Sequence, residues 1–272
     1  PTPLGNLADL APRSRELLGS LPVLLCEDTR TTSKLLAKLE IPAPSLLPVH
    51  DHNERQQVGL ALAKLEQGDV GLVSEAGTPL VSDPGFVIVR AVVEAGHEVV
   101  SVPGPNAVTA ALAGSGLPVD RFVFVGFPPR STGKRRAWLE PLAHRTETVV
   151  LYEAPRRVVD LLEDLAATFG PQRPAALAVN LSKLGERFVR GTVASVRAEL
   201  AAEDEVRGEM TLVVGGSPGD DAAALWERAD RAIATLAGAD APAGAIRDAV
   251  CALVDLPRRE VYQRVLEALE DR

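Results

Sequence analysis

The chain has 272 residues, of which 46% are apolar and 24% charged, the proportions of a globular protein with room for two domains or one large one. No run approaches the ~18 apolar residues of a membrane span, and no charged start with an apolar stretch marks a secretion signal, so a cytoplasmic protein is expected. The formal net charge of −8 argues against indiscriminate coating of nucleic acid, and Cys26 and Cys251, far apart in apolar runs, are expected to stay reduced.

The chain opens at Pro1 on a turn-like stretch of the kind that follows a strand, so a strand is expected before it. Short β-branched runs then alternate with helical patterns, which points to an α/β fold. Strands are predicted over 22–26, 70–74 and 99–102, apolar on both faces as in a buried parallel sheet, with helices over 31–39, 54–67 and 86–95. A loop over 116–121 is the expected hinge. Beyond it, strands are predicted over 122–127, 148–152, 175–180, 188–193 and 210–215, with helices over 134–142 and 156–168. The later strands follow each other too closely for helical crossovers, so this second sheet is expected to be mixed.

Residues 216–221 read as a linker, and the alanine-rich remainder as helices over 222–236, 243–254 and 258–269, with Pro257 at a first-turn position. Two short helices about 255–257 have the form of a helix-turn-helix. Seven arginines against eleven acidic residues from 220 onward make packing or a dimer contact an equally good role. The expected architecture is therefore a parallel-sheet lobe over 1–117, a mixed-sheet lobe over 118–216 and a helical module over 217–272.

In an open α/β sheet, ligands bind beyond the carboxyl ends of the strands. Four turn-rich segments fall there: PTPLGNLAD (1–9), CEDTR (26–30), SEAGTPLVSDPG (74–85) and PGPNA (103–107). Their convergence on one sheet edge is harder to explain as mere connection than any single glycine turn. Phosphate-binding signatures are absent, since Gly133-Lys134 is followed by Arg135 and no G-x-G-x-x-G follows a strand. His50-Asp51-His52 lacks zinc-site spacing and reads as a substrate-loop or surface feature, and no serine sits in a G-x-S-x-G elbow.

These segments, with HDHNE (50–54), FVFVGFPPR (122–130), LYEAPRR (151–157) and RGEMTLVVGG (207–216), occur in an order that resembles the tetrapyrrole-methylase superfamily, and within it the members that methylate ribosomal RNA. The resemblance covers roughly residues 1–216. It implies a two-lobed fold with S-adenosyl-L-methionine folded in the cleft, 2′-O-methylation of a cytidine ribose in small-subunit ribosomal RNA or the assembled subunit, and a homodimer. It places cofactor contacts at Pro3, Gly77, Thr78, Val81, Asn106 and Ala107 in the first lobe, and at Tyr152, Glu153, Leu181, Met210 and Thr211 in the second. Two positions depart from the family pattern. Glu75 stands where SDAGTP is usual, and Val179-Asn180-Leu181-Ser182-Lys183 replaces R-E-L-T-K.

A ribose hydroxyl attacks well only as its proton leaves, so a base or an alkoxide-stabilising cation is sought. Glu27 and Asp28, at a strand's carboxyl end, suit proton acceptance or substrate orientation, and Lys183 suits the developing oxyanion. Asp28 has a second reading as cap of the following helix, since Asp and Thr favour helix starts. Phosphates call for arginine and lysine. Between 130 and 157, seven basic residues face three acidic ones, and Arg30, Arg130, Lys134, Arg135, Arg136, Arg156 and Arg157 are the RNA-binding candidates. A small-molecule methylase on the same scaffold and an inactive ribosome-assembly protein are the competing readings.

Overall fold

In a computed structural model, which describes residues 1–218, 222–239, 241–254 and 256–270, the chain divides into two compact units, Pro1–Ser217 and Pro218–Arg272. In the first unit the elements run α1 (Pro12–Ser20), β1 (Val23–Cys26), α2 (Thr29–Lys38), β2 (Ser45–Pro48), α3 (Glu54–Leu65), β3 (Val70–Val73), α4 (Phe86–Glu94) and α5 (Ala107–Ser115). They continue as β4 (Phe122–Phe124), α6 (Thr132–Ala143), β5 (Thr148–Glu153), α7 (Pro155–Thr168), β6 (Pro174–Val179), β7 (Arg187–Thr192), α8 (Val193–Ala201) and β8 (Met210–Val214).

The first sheet is parallel, in the order β2-β1-β3, with Val23 opposite Ser45 on one side and Val70 on the other. Only its middle strand is fully buried, because β2 and β3 are edges. Pro48 ends β2, where a missing N–H costs no ladder bond. The strand expected over 99–102 is corrected. Residues 97–106 form no ladder, and Val99 and Val100 are exposed, since β-propensity without a hydrogen-bonding neighbour does not make a strand.

The second sheet has the order β4-β5-β8-β6-β7 and the mixed character expected of it, β4 lying parallel to β5 and the remaining pairs antiparallel. Its side chains alternate between faces with period two. Val149, Leu151, Leu177, Leu212 and Val214 join Leu161, Leu162 and Leu165 of α7 and Val196 and Leu200 of α8 in the main core. Val150, Ala178 and Val213 point the other way, onto Val108, Ala111 and Leu112 of α5. Each fully buried leucine contributes roughly 1.5–3 kcal/mol of transfer free energy. Helix α5 belongs by sequence to the first lobe but packs on the second sheet, so the lobes share an element. The face it leaves open, beyond Tyr152 and Thr211, is where the cavity lies.

The second unit holds α9 (Ala222–Gly238), α10 (Ala243–Leu253) and α11 (Arg258–Glu270) around a core of Ala229, Ile233, Ile246, Val250, Val261 and Val265. Arg264 lies over the Trp226 ring and pairs with Asp230. Residues 219–221 of the expected linker and Asp255 of the expected turn lie outside the described residues. No helix among the described residues is long and apolar enough to cross a membrane.

Candidate active site

Three loops are stitched together at the carboxyl ends of the first sheet. Thr2 and Gly77 exchange backbone hydrogen bonds of 2.9 Å in both directions. The Thr2 hydroxyl donates to the Ser74 carbonyl at 3.0 Å, the Ser74 hydroxyl to the Gly77 carbonyl at 2.7 Å, and the Thr78 hydroxyl to the Pro105 carbonyl at 3.0 Å. Gly77 has φ 84°, and a Cβ there would press on Leu4 at 3.2 Å, so the close approach of the first loop needs glycine. Further along, Leu80 and Ser82 adopt φ 71° and 67°, left-handed values that L side chains rarely hold without support. The far end of this turn is held by Glu54, buried on α3, whose carboxylate accepts from the Gly85 amide at 3.0 Å and the Val87 amide at 2.5 Å. It thereby caps the start of α4, favoured also by the helix dipole. HDHNE thus contributes through its glutamate, which fastens the end of the SEAGTPLVSDPG loop.

The second sheet closes the other side. Tyr152 packs edge-on to Phe124, with centroids 4.8 Å apart, and against Phe127 at 5.4 Å. Its phenol is pushed up to about 12 by burial, then by the nearby Asp83 carboxylate. Glu153 is buried but satisfied, accepting from the Ala154 amide at 2.7 Å and pairing with Arg157 at 2.6 Å. Asn180, at φ 55°, accepts from the Glu209 amide at 3.1 Å. A Cβ on Gly208 would meet the Asn180 carboxamide at 2.3 Å, so the turn into β8 must carry glycine there.

The result is a cavity of about 410 Å³. Its wall includes Glu27, Gly77, Thr78, Val81, Asn106, Ala107, Tyr152, Glu153, Leu181, Met210 and Thr211 from among the residues the sequence singles out. Asn106 also accepts from the Val108 amide at 2.9 Å and so starts α5. Leu4 carries the first loop to the wall, and its neighbour Pro3 is buried behind it. Asp83, Glu75, Glu209 and Phe127 line it too and were missed as site residues, although SDPG, with an acid in a proline-glycine turn after a strand, was visible.

The cavity is electrostatically one-sided. Five carboxylates line it (Glu27, Glu75, Asp83, Glu153 and Glu209), while no lysine, arginine or histidine does among the described residues. The Glu27 carboxyl is pushed up by burial and then by Glu75 and Asp51. Asp83 rises to about 6, through burial first and then the charges of Glu27 and Glu75. Such a wall repels phosphate and suits a cation.

Three assignments from sequence are corrected by these positions. Asp28 lies off the cavity wall; its side chain accepts from the Arg30 amide at 2.7 Å and pairs with the Arg30 guanidinium, bonds that hold its carboxyl down to about 2 and leave it a poor base. Its reading as the cap of α2 is the one the geometry matches. Lys183 pairs with Glu209 at the rim instead of reaching the cavity. Arg135, 3% exposed, is locked onto Asp164 of α7 at 2.6 Å and cannot reach an RNA phosphate. Arg136 shares Asp164 but stays half exposed, and Arg157 is held by Glu153 and the Pro128 carbonyl. Arg30 is exposed and paired with Asp28, while Arg130, Lys134 and Arg156 are exposed and form no ion pair among the described residues.

A family model described as Tetrapyrrole (Corrin/Porphyrin) Methylases matches residues 1–197. The chain is 46% identical to a "Ribosomal RNA small subunit methyltransferase I" from Micromonospora olivasterospora, over 99% of this chain and 86% of that one. It is 40% identical to a protein of the same name from Synechocystis sp., over 99% and 97% respectively. Among solved structures it resembles uroporphyrin-III C-methyl transferase from Thermus thermophilus complexed with S-adenyl homocysteine, with TM-score 0.55 and 24% identity over 79% of this chain and 94% of that one. The methyltransferase CobJ matches with TM-score 0.57 at 18% identity, over 79% and 91%. At these identities the solved structures speak for the fold.

Proposed function

The chain belongs to the tetrapyrrole (corrin/porphyrin) methylase family, and we propose that it transfers a methyl group from S-adenosyl-L-methionine to the ribose 2′-hydroxyl of a cytidine in small-subunit ribosomal RNA. The observation that carries this reading is the cavity wall, apolar along Leu4, Val81, Phe127, Leu181 and Met210 and otherwise carboxylate-rich, with no cationic side chain among the described residues. A ligand with a sulfonium and an ammonium fits that donor set, and a phosphorylated nucleotide does not. The names of the relatives from Micromonospora and Synechocystis supply the RNA substrate.

Gly77, Thr78, Val81, Asn106, Ala107, Tyr152, Leu181, Met210 and Thr211 are the residues that would hold the cofactor. When bound, S-adenosyl-L-methionine supplies a methyl group whose bond to sulfur breaks as the new bond to oxygen forms. The wall residues fix its orientation and keep water out, which is the larger part of catalysis for an in-line displacement. Exposed Arg130, Lys134, Arg136 and Arg156 would hold phosphates beside Phe127 and Pro155 of the wall. The expected setting is the cytoplasm, where the ribosomal substrate resides, with the chain acting as a homodimer.

Small ribosomal subunits lacking the modification, incubated with methyl-labelled S-adenosyl-L-methionine, should acquire label on the ribose of one cytidine. Absence of label, or label on a base, overturns the reading.

A further inference from the structure

We propose that Asp83 is the proton acceptor for the attacking hydroxyl, presented to the cavity by the left-handed turn that Glu54 fastens. The proposal rests on the reading of the cavity as a methyl-transfer site and names the group that reading leaves open.

Elimination among carboxylates carries the first half. A general base must have a free lone pair in the cavity. Asp28 spends its oxygens on Arg30 and the start of α2, and lies off the wall. Glu153 is committed to the Ala154 amide and Arg157, and Glu209 to Lys183. Glu27, Glu75 and Asp83 line the cavity and form no ion pair among the described residues; Glu27 feels the nearby His50, whereas the charges acting on Asp83 are those of Glu27 and Glu75 alone. Of these, Glu27 and Glu75 are exposed and Asp83 is half-buried.

The backbone carries the second half. Leu80 and Ser82 sit at φ 71° and 67° on either side of Val81, immediately before Asp83. Left-handed non-glycine residues are strained and persist only where the surroundings enforce them. Here the enforcement is explicit. The Thr78–Pro105 bond anchors the turn's start, and the Glu54 carboxylate, 8% exposed, binds the amides of Gly85 and Val87 at its end. Two fastened ends around two strained residues hold the Asp83 carboxylate on the wall, opposite Tyr152 across the cleft.

The titratable groups facing Asp83 are Glu27 at the end of β1, Glu75 in its own loop and Tyr152 of β5; the paired Glu153 and Glu209 complete the acidic wall. Burial and the two glutamates raise the Asp83 carboxyl to about 6, so at neutral pH it is ionised yet basic enough to take a proton. The balance is complete. The hydroxyl oxygen shares a lone pair with the methyl carbon, its proton passes to an Asp83 oxygen and from there to water, and the electron pair of the broken carbon–sulfur bond stays on sulfur.

The test uses the full chain with small ribosomal subunits as substrate and S-adenosylhomocysteine as the calorimetric probe. Asp83→Asn should lower kcat at least about a hundredfold while S-adenosylhomocysteine affinity moves less than about threefold, and Asp83→Glu should recover part of the rate. The kcat of the unaltered chain should rise with pH through about 6, and Glu75→Gln should move that rise to lower pH. Carboxyl-labelled NMR of the free protein gives the Asp83 titration directly and should show the same displacement. Undiminished kcat in Asp83→Asn, or a loss matched by lost S-adenosylhomocysteine affinity, overturns the proposal while leaving the methyl-transfer reading standing. No turnover by the unaltered chain, with S-adenosylhomocysteine still bound, overturns both.

Discussion

Asp164, on α7, is 1% exposed and lies between the guanidinium groups of Arg135 and Arg136, whereas Asp83, at the cavity wall, is half-buried, feels the charges of Glu27 and Glu75, and has no ion pair among the described residues. Both carboxylates have been drawn out of water within one compact unit. At the first, the chain supplies the counter-charge and the result is a bond between α6 and α7. At the second it withholds the counter-charge, and the repulsion stands until something positive arrives. The contrast separates a charge that holds the fold from one reserved for chemistry, since a site that costs stability in the free protein is where a ligand can recover it.

The largest effect should come from breaking the satisfied cluster. Asp164→Asn leaves Arg135 buried, at 3% exposure, with no ionic partner. An uncompensated buried charge typically costs ~3–5 kcal/mol. Urea unfolding should show that loss as a lower midpoint at unchanged slope, and replacing Arg135 and Asp164 together by leucine or methionine should cost far less. A loss below about 1 kcal/mol would mean the pair does not hold α6 to α7 and the contrast with Asp83 is false.

Sequence periodicity found the elements that carry the fold and missed those whose identity depends on neighbours. The strands at β1, β5, β6 and β8 were legible because each carries a short apolar run that is buried over all or most of its length. β2 was not, since Ser45-Leu46-Leu47-Pro48 is an edge paired on one side only, and α5 was absorbed into the loop that its own cap, Asn106, begins. At the site, spacing and resemblance placed the wall at Gly77, Asn106, Tyr152 and Met210. They could not place the charges. Whether Arg135 reaches RNA depends on Asp164, 29 residues away, and whether Asp28 is a base depends on Arg30 turning back onto it. Glycine and proline announce a turn, but the field inside a cavity is a sum over several chain segments.

A smaller effect should come from relieving the unsatisfied cluster. Asp83 rises from 3.8 to about 6 on folding. A carboxyl raised in the folded state favours its protonated form there, so this contribution to stability is whole below the unfolded value and is lost as pH rises through about 6. Linkage over the full shift amounts to roughly 3 kcal/mol. Half-exposure and solvent screening reduce that to about 1 kcal/mol. Asp83→Asn should therefore melt higher than the unaltered chain at pH 7.5 and equal it near pH 4. An asparagine variant less stable at pH 7.5 would show that the three acids do not repel one another.

The smallest effect sharpens the comparison to adjacent residues. Lys134 and Arg135 are neighbours in the first turns of α6, yet Arg135 is buried against Asp164 while Lys134 is exposed and carries no ion pair among the described residues. Its ammonium is thus available to a phosphate, and an exposed cation of this kind contributes about 1 kcal/mol or less. Counterion release offers a cleaner reading than affinity, because one lost phosphate contact lowers the slope of log K against log salt by about 0.7–0.9 whatever the RNA sequence. Lys134→Ala should show that reduced slope with stability and S-adenosylhomocysteine binding unchanged, and Arg156→Ala, beside Pro155 of the cavity wall, should add a second step of similar size. If the slope stays where it was, α6 presents its charge to solvent alone and the RNA path runs elsewhere.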